Sequence, residues 1–192
     1  MQMKTFMEPS PTLIEECKKG NQQAFKELFY NYRSYAYNLI YKICGANADH
    51  EDLLQELFFQ IYLSIKTFKG NSSFSTWFYR VVFHVCSGKW RYQQAKKRIS
   101  AEDTVEYESV EYCVSNHQFE PGYQMELKEM VNAALATLTD TLRIPLVLNV
   151  YSDLDVTKIA EILGLPAGTV KSRLFSARMK IKKYLDSVNV DK

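Results

Sequence analysis

The sequence predicts an all-α protein made of two small helical domains joined by a flexible acidic linker, the second domain containing a helix-turn-helix. Three observations predict this. Apolar residues recur at spacings of three and four from residue 11 to about residue 98. Residues 99–122 show no period and gather acidic charge. Beyond them, a Gly-Leu-Pro turn at 164–166 separates a short apolar-striped helix from a longer one. The expected boundaries are therefore 10–98 for the first domain, 99–122 for the linker and 123–188 for the second. No strand-like alternation competes with these helices, and no internal repeat is found. With 46% hydrophobic and 24% charged residues among 192, the chain has the composition of a globular protein, which argues against disorder throughout.

In the first domain, Phe25, Leu28, Phe29 and Tyr32 begin a stripe that Tyr35, Leu39, Ile40 and Ile43 continue, and Gly45 ends that helix. Asp49 is placed to cap the next helix, with Asp52 three positions on as an acidic form of the capping box. Leu53, Leu57, Ile61 and Ile65 form its buried stripe, whereas Asp52, Gln55, Glu56 and Phe59 share a different face. Residues 69–73, Lys-Gly-Asn-Ser-Ser, read as a short loop. A long aromatic-rich helix follows over 74–98, weakened at Gly88. Its apolar spacing picks out Phe74, Trp77, Val81 and Val85. Pro121 and Gly122 close the linker.

In the second domain, Met125, Val131, Ala134, Leu135 and Leu138 lie on one helix, and Leu142, Leu146 and Val150 on the next, with Pro145 expected near its start. Val156, Ile159, Ala160 and Leu163 mark the short helix before the turn. Val170, Leu174, Ala177, Ile181 and Leu185 stripe the helix after it. Gly164 supplies backbone freedom, and Pro166 suits the opening of a helix.

The net charge of +2 says little, but its distribution is uneven. Between residues 162 and 185 the only charged residues are Lys171, Arg173, Arg178, Lys180, Lys182 and Lys183. A second basic cluster, Lys89, Arg91, Lys96, Lys97 and Arg98, precedes the carboxylates Glu102, Asp103, Glu106, Glu108 and Glu111. Two basic blocks around an acidic segment point to two nucleic-acid contacts joined by something that is not one. The outward residues of the last helix, Thr169, Lys171, Ser172, Arg173, Ser176 and Arg178, are donors or cations suited to the major groove. A solvated basic face on a structural helix is the competing reading. The preceding helix, the turn and the lack of acidic residues favour DNA.

The four cysteines, Cys17, Cys44, Cys86 and Cys113, are too dispersed for a CxxC pair, and no signal-peptide pattern opens the chain. Reduced thiols, a cytoplasmic location and no membrane span are the expectation. An enzyme, for instance a metal-dependent nuclease using His84 and Cys86 or the carboxylates near Asp49, is the weaker reading. Residues two apart point to different sides of a helix, His50 and His117 supply no matching pair, and no phosphate-cradling glycine loop occurs. No catalytic residue, metal or cofactor is expected.

The segment 168–174, Gly-Thr-Val-Lys-Ser-Arg-Leu, with Ile159-Ala160-Glu161 before it and Ala177-Arg178 after it, resembles the carboxy-terminal domain of extracytoplasmic-function (ECF) sigma factors of bacterial RNA polymerase. Residues 49–58, Asp-His-Glu-Asp-Leu-Leu-Gln-Glu-Leu-Phe, resemble that family's polymerase-binding helix. Residues 74–80, Phe-Ser-Thr-Trp-Phe-Tyr-Arg, resemble its promoter-melting segment. The resemblance runs through nearly the whole chain, in order and at the right spacing.

It implies that Asp52, Leu53, Gln55, Glu56 and Phe58 lie at or beside the contact with core RNA polymerase, where a carboxylate and amide face suits a partner offering arginines. It implies that Lys69, Asn71, Trp77, Phe78, Arg80, His84, Lys89 and Arg91 meet the separated non-template strand of the downstream promoter element. Cations there would hold phosphates, and aromatic rings would take unstacked bases. Trp77 is expected to be at least half buried, and core and DNA-contact readings both stay open for it. Thr169, Lys171, Ser172, Arg173, Ser176 and Arg178 would read the upstream element as duplex. Promoter DNA and an anti-sigma factor are the further partners implied, and the acidic linker would approach the path of RNA in the polymerase. The chain departs from the family pattern at His84, Gly88 and Lys158. A transcriptional activator or repressor that binds duplex DNA alone is the rival, and core-polymerase binding separates the two.

Overall fold

The computed structural model describes residues 6–46, 48–99 and 122–190, and among these residues every element is helical. In chain order they are α1 (Pro11–Lys18), α2 (Gln22–Cys44), α3 (His50–Ser64), a 3-10 turn (Ile65–Thr67), α4 (Phe74–Ile99), α5 (Gly122–Ala136), α6 (Asp140–Val150), α7 (Val156–Leu163) and α8 (Ala167–Val190). The expected linker lies outside the described residues except at its ends, where Ile99 closes α4 and Gly122 opens α5.

Helix starts follow local chemistry. The Ser10 hydroxyl accepts from the Leu13 amide at 3.1 Å, the Asn21 side chain from Gln23 at 2.9 Å, and the Asp49 carboxylate from Asp52 at 3.2 Å. Ser73 caps α4 by accepting from the Thr76 amide at 3.2 Å, and Asp155 caps α7 through Lys158 at 2.8 Å. Gly45 ends α2 at φ 75°, and Gly164 ends α7 in the left-handed region at φ 64°.

Leu53, Leu57, Ile61 and Ile65 are buried on α3 as their spacing predicts, together with Leu54 and Phe58. On α4 the buried side is Phe74, Phe78, Val82, Val85 and Cys86, joined by Tyr79, while Trp77 and Val81 sit partly exposed at its edge. The stripe through Trp77 and Val81 was thus one position off its centre. Both series satisfy a three-four rule, and it is packing on α2 and α3 together that selects the Phe78 and Val82 side. Pro145 stands sixth in α6 rather than in its first turn, and it is buried. Val131 is exposed on α5, whereas Ala134 and Leu138 are buried.

The stretch before α1 crosses the first helical group. The Phe6 ring lies 5.1–5.6 Å from the rings of Tyr32, Tyr35, Phe78 and Tyr79, and 6.3 Å from Phe74. The Tyr32 hydroxyl donates to the Met7 carbonyl. Glu8 accepts from the Ser75 amide at 3.1 Å, placing a carboxylate on the positive end of α4.

Helices α5–α8 form the second group, in which α8 packs on α6 and α7. The groups also meet each other, α2 against α6 and α4 against α7. Arg143 of α6 is only 8% exposed, and its Nε donates to the Ile43 carbonyl at the end of α2 at 3.0 Å. Its guanidinium also pairs with Asp140.

Candidate functional sites

Three surfaces gather the residues that the sequence singles out. On α3, Asp52, Gln55 and Glu56 are exposed and line a shallow groove with Phe59 and part of Leu53. Positions 52, 55, 56 and 59 share one helix face. Leu53 is buried, and Phe58 is 4% exposed with its ring 4.6 Å from Phe29. Phe58 therefore belongs to the core and offers no side chain to a partner. Phe59, at 56% exposure, presents the ring on that face. The periodicity that separated it from the buried stripe was the signal for it.

The second surface spans the loop after the 3-10 turn and the first turns of α4. Lys69, Asn71 and His84 are exposed. Trp77 is partly buried, its ring 5.4 Å from Phe68 and 5.3 Å from Phe74. Phe78 is 1% exposed and is a core residue, which removes it from the surface set. Its spacing from Phe74 places it on the buried side, whereas Trp77 and Arg80 flank that side. Arg80 donates to the Glu161 carboxylate of α7 at 2.6 Å. Lys89 and Arg91 fall within α4, but their side chains lie outside the described residues. His84 is exposed and Cys86 buried, so the two face apart.

The third surface is the outer side of α8. Val170, Leu174 and Ala177 are buried, which turns Lys171, Ser172 and Ser176 outward, while Thr169 and Arg173 are partly exposed. Arg178 leans back to donate to the Asn149 side chain of α6 at 2.9 Å. Phe175 (67% exposed) and Met179 stand among the polar residues of the outer face. Sequence reasoning left them out because it selected donors and cations. Their i+4 relation to Lys171 and Phe175, respectively, already put them on that face.

Comparison with known proteins bears on all three surfaces. The family pattern described as Sigma-70 region 2 matches residues 28–96, and that described as Sigma-70, region 4 matches residues 128–181. The ECF RNA polymerase sigma factor SigW of Bacillus subtilis is 30% identical over 176 residues, covering 90% of this chain and 94% of the relative. The chain belongs to the ECF sigma factors. The ECF RNA polymerase sigma-E factor of Haemophilus influenzae is 31% identical over 179 residues, covering 90% and 93%. Two solved structures share the fold of this sigma factor. CnrH, in complex with the cytosolic domain of CnrY, has a TM-score of 0.64 at 20% identity, covering 92% and 96% of the two chains. RpoE of Bartonella quintana, in complex with the anti-sigma factor NepR, has a TM-score of 0.65 at 18% identity, covering 84% and 96%. As a sigma factor the protein acts in transcription initiation. The α3 and α4 surfaces fall within the region 2 match, and all six α8 candidates fall within the region 4 match.

Burial sets the ionisation of four tyrosines, Tyr32 inside the first helical group and Tyr35, Tyr79 and Tyr151 beside the contact between the groups. Desolvation pushes the Tyr32 and Tyr151 hydroxyls up to about 12, and raises Tyr35 and Tyr79 as well. All four are neutral at physiological pH. No described helix is long and apolar enough to cross a membrane, and no described group of His, Cys, Asp or Glu is arranged to hold a metal ion.

Proposed function

We propose that the two helical groups divide promoter recognition between them, with residues 10–98 binding core RNA polymerase and melted DNA and residues 123–188 binding duplex DNA. The observation that carries this division is the separation of two chemically different exposed surfaces, one acidic with an aromatic residue on α3, the other cationic on α8. Asp52, Gln55, Glu56 and Phe59 form the polymerase contact. Carboxylates can pair arginines bidentately while the ring buries apolar area beside them.

Lys69, Asn71, Trp77, Arg80 and His84 meet the unpaired downstream element. Trp77, partly exposed, offers ring surface for base stacking, a contact worth about 1–3 kcal/mol per base, and the cations hold the backbone. Lys89 and Arg91 extend this contact along α4.

Lys171, Ser172, Arg173 and Ser176, with Thr169 at the helix start, face the major groove of the upstream element. Phe175 adds apolar contact of the kind that reads a thymine methyl. Arg178, bonded to Asn149, braces α8 against α6 and orients this face. The protein directs the polymerase and performs no covalent step of its own. It works in the cytoplasm, and an anti-sigma factor that covers these surfaces would hold it inactive.

Run-off transcription with purified core polymerase on fragments of the source genome tests this function. Specific initiation that depends on the protein is the expected result. No initiation and no core binding, with duplex footprints from the protein alone, would favour the activator or repressor reading. For the α3 face, Glu56→Lys is expected to impair core binding in a pull-down with helical content unchanged. Unaltered retention by core would remove Glu56 from the interface.

A further inference from the structure

Three residues assigned above to unpaired DNA hang from one end of α4. Lys69 and Asn71 stand in the loop before the helix, and Trp77 stands near its start. Two rings span that loop. Phe68 at its beginning lies 5.9 Å from Phe74 at its end, edge to face, and the two rings stand 5.4 and 5.3 Å from Trp77. The placement of Phe74 and of the first turn of α4 therefore sets where Asn71 and Trp77 stand relative to each other.

That end of α4 is held by chain remote in sequence. The Phe6 ring lies 6.3 Å from Phe74 and 5.2 Å from Phe78, one turn further on, and it is itself held by Tyr32 and Tyr35 of α2 at 5.1 and 5.3 Å. The Tyr32 hydroxyl fixes the same stretch by donating to the Met7 carbonyl. The Glu8 carboxylate then accepts from the Ser75 amide, at 3.1 and 3.4 Å to its two oxygens. Ser73, the last residue of the loop, accepts from the Thr76 amide at 3.2 Å. Two of the helix-end amides that lack partners within the helix are thus satisfied by side chains, one local and one 67 residues away.

Stability alone accounts poorly for Glu8. It is exposed, and a hydrogen bond within reach of water contributes little to folding. A carboxylate beside a surface for DNA also opposes the phosphates that the surface must accept. What the Glu8 bond does supply is direction, since it fixes the first turn of α4 against the stretch that Phe6 anchors.

We propose that residues 6–8 are a positioning strap for promoter melting: Phe6 and Glu8 fix the start of α4, and through it the loop bearing Lys69 and Asn71, so that an unstacked base meets Asn71 and Trp77 in one geometry. Phe6 and Glu8 are positioning residues and act through these side chains. A loop ordered in advance binds without the entropy cost of ordering it, and a fixed geometry is what allows one base to be told from another. The inference rests on the assignment of Lys69, Asn71 and Trp77 to the unpaired strand.

The test compares wild type with Phe6→Ala, Glu8→Ala and Glu8→Gln, each as the full chain bound to core polymerase. Fluorescence anisotropy reads the binding of two labelled oligonucleotides of equal length. One is the non-template strand of the downstream element from a promoter identified by run-off transcription, and the other is its scrambled sequence. The ratio of the two affinities is the readout, because a loss of folded protein lowers both alike. Phe6→Ala is expected to lower this ratio about tenfold and Glu8→Ala about threefold, with helical circular dichroism and core binding as in wild type. Glu8→Gln keeps a carbonyl to accept from the Ser75 amide while dropping the charge, and is expected to restore the wild-type ratio. Glu8→Ala, at an exposed position, carries the test if Phe6→Ala does not fold.

An unchanged ratio in Glu8→Ala, or a ratio in Glu8→Gln no better than that of Glu8→Ala, overturns the strap. Asn71→Ala and Trp77→Ala separate that failure from a failure of the proposed function. If these two lower the ratio while Phe6→Ala and Glu8→Ala do not, only the strap falls. If they leave it at the wild-type value, the assignment of the loop and of Trp77 to unpaired DNA falls, and the strap falls with it.

Discussion

At the scale of single residues, burial decides which chemically suitable side chains are available. Phe58 and Phe78 occupy motif positions that resemble a partner-binding helix and a melting segment, yet both rings are in the core. Chemistry and motif position were legible in the sequence. Periodicity set Phe59 apart from the buried stripe of α3, but which of 77 and 78 faces inward was not legible, because they differ by one step of about 100° and flanking helices choose between them. Phe78→Ala is accordingly expected to cost about 3–5 kcal/mol in denaturant unfolding, as a core truncation does. His84→Ala, at an exposed site, should leave stability within about 0.5 kcal/mol and lower affinity for unpaired DNA. If Phe78→Ala were as stable as wild type, its place in the core would be wrong.

On α8 the same rule separates Arg178, which is bonded to Asn149, from Lys171 and Arg173. Lys171→Ala with Arg173→Ala should reduce initiation at promoters that depend on the upstream element and leave core binding intact. Equal transcription from such a promoter would remove these residues from the DNA contact.

At the scale of elements, local signals placed the helix ends well. Asp49, Gly45 and Gly164 could be read because capping is a property of a few consecutive residues. Gly164 is the sharpest case, since it closes α7 at φ 64°, a conformation that disfavours a Cβ. Gly164→Ala is expected to lower stability by about 1 kcal/mol and to weaken duplex binding through the turn that positions α8. A denaturation midpoint equal to wild type would show that the turn tolerates the strain.

The stretch holding Phe6 and Glu8 had no such signal. Its partners lie 25 to 73 residues away, on α2 and α4, and so short a stretch cannot display a period. It nevertheless packs on the start of α4, setting one side chain among aromatic rings and capping the helix with another.

At the scale of the whole molecule, the meeting of the two groups was the least legible feature. Sequence reasoning gave Arg143 no role, and Tyr35 stood as one more member of a stripe. Their joining role depends on groups about a hundred positions away. Four buried tyrosines, three of them beside this contact, supply a test by titration. Burial raises the hydroxyls of Tyr32, Tyr35, Tyr79 and Tyr151, so the folded chain holds these protons more tightly than the unfolded chain, whose tyrosines ionise near about 10.

The neutral form is the one folding keeps. The stabilisation is therefore fully present below about pH 10 and is lost as pH rises through the folded values, which for Tyr32 and Tyr151 lie at about 12. Each proton held only by the folded state steepens the loss by about 1.4 kcal/mol per pH unit. Chemical denaturation at a series of pH values from 8 to 11.5 should show a level region followed by a steep fall. Tyr79→Phe keeps the ring but removes a titrating hydroxyl buried by both helical groups, and it should make that fall shallower. A wild-type profile flat through pH 11.5 would mean that these hydroxyls are open to water, and with them the interface between the groups.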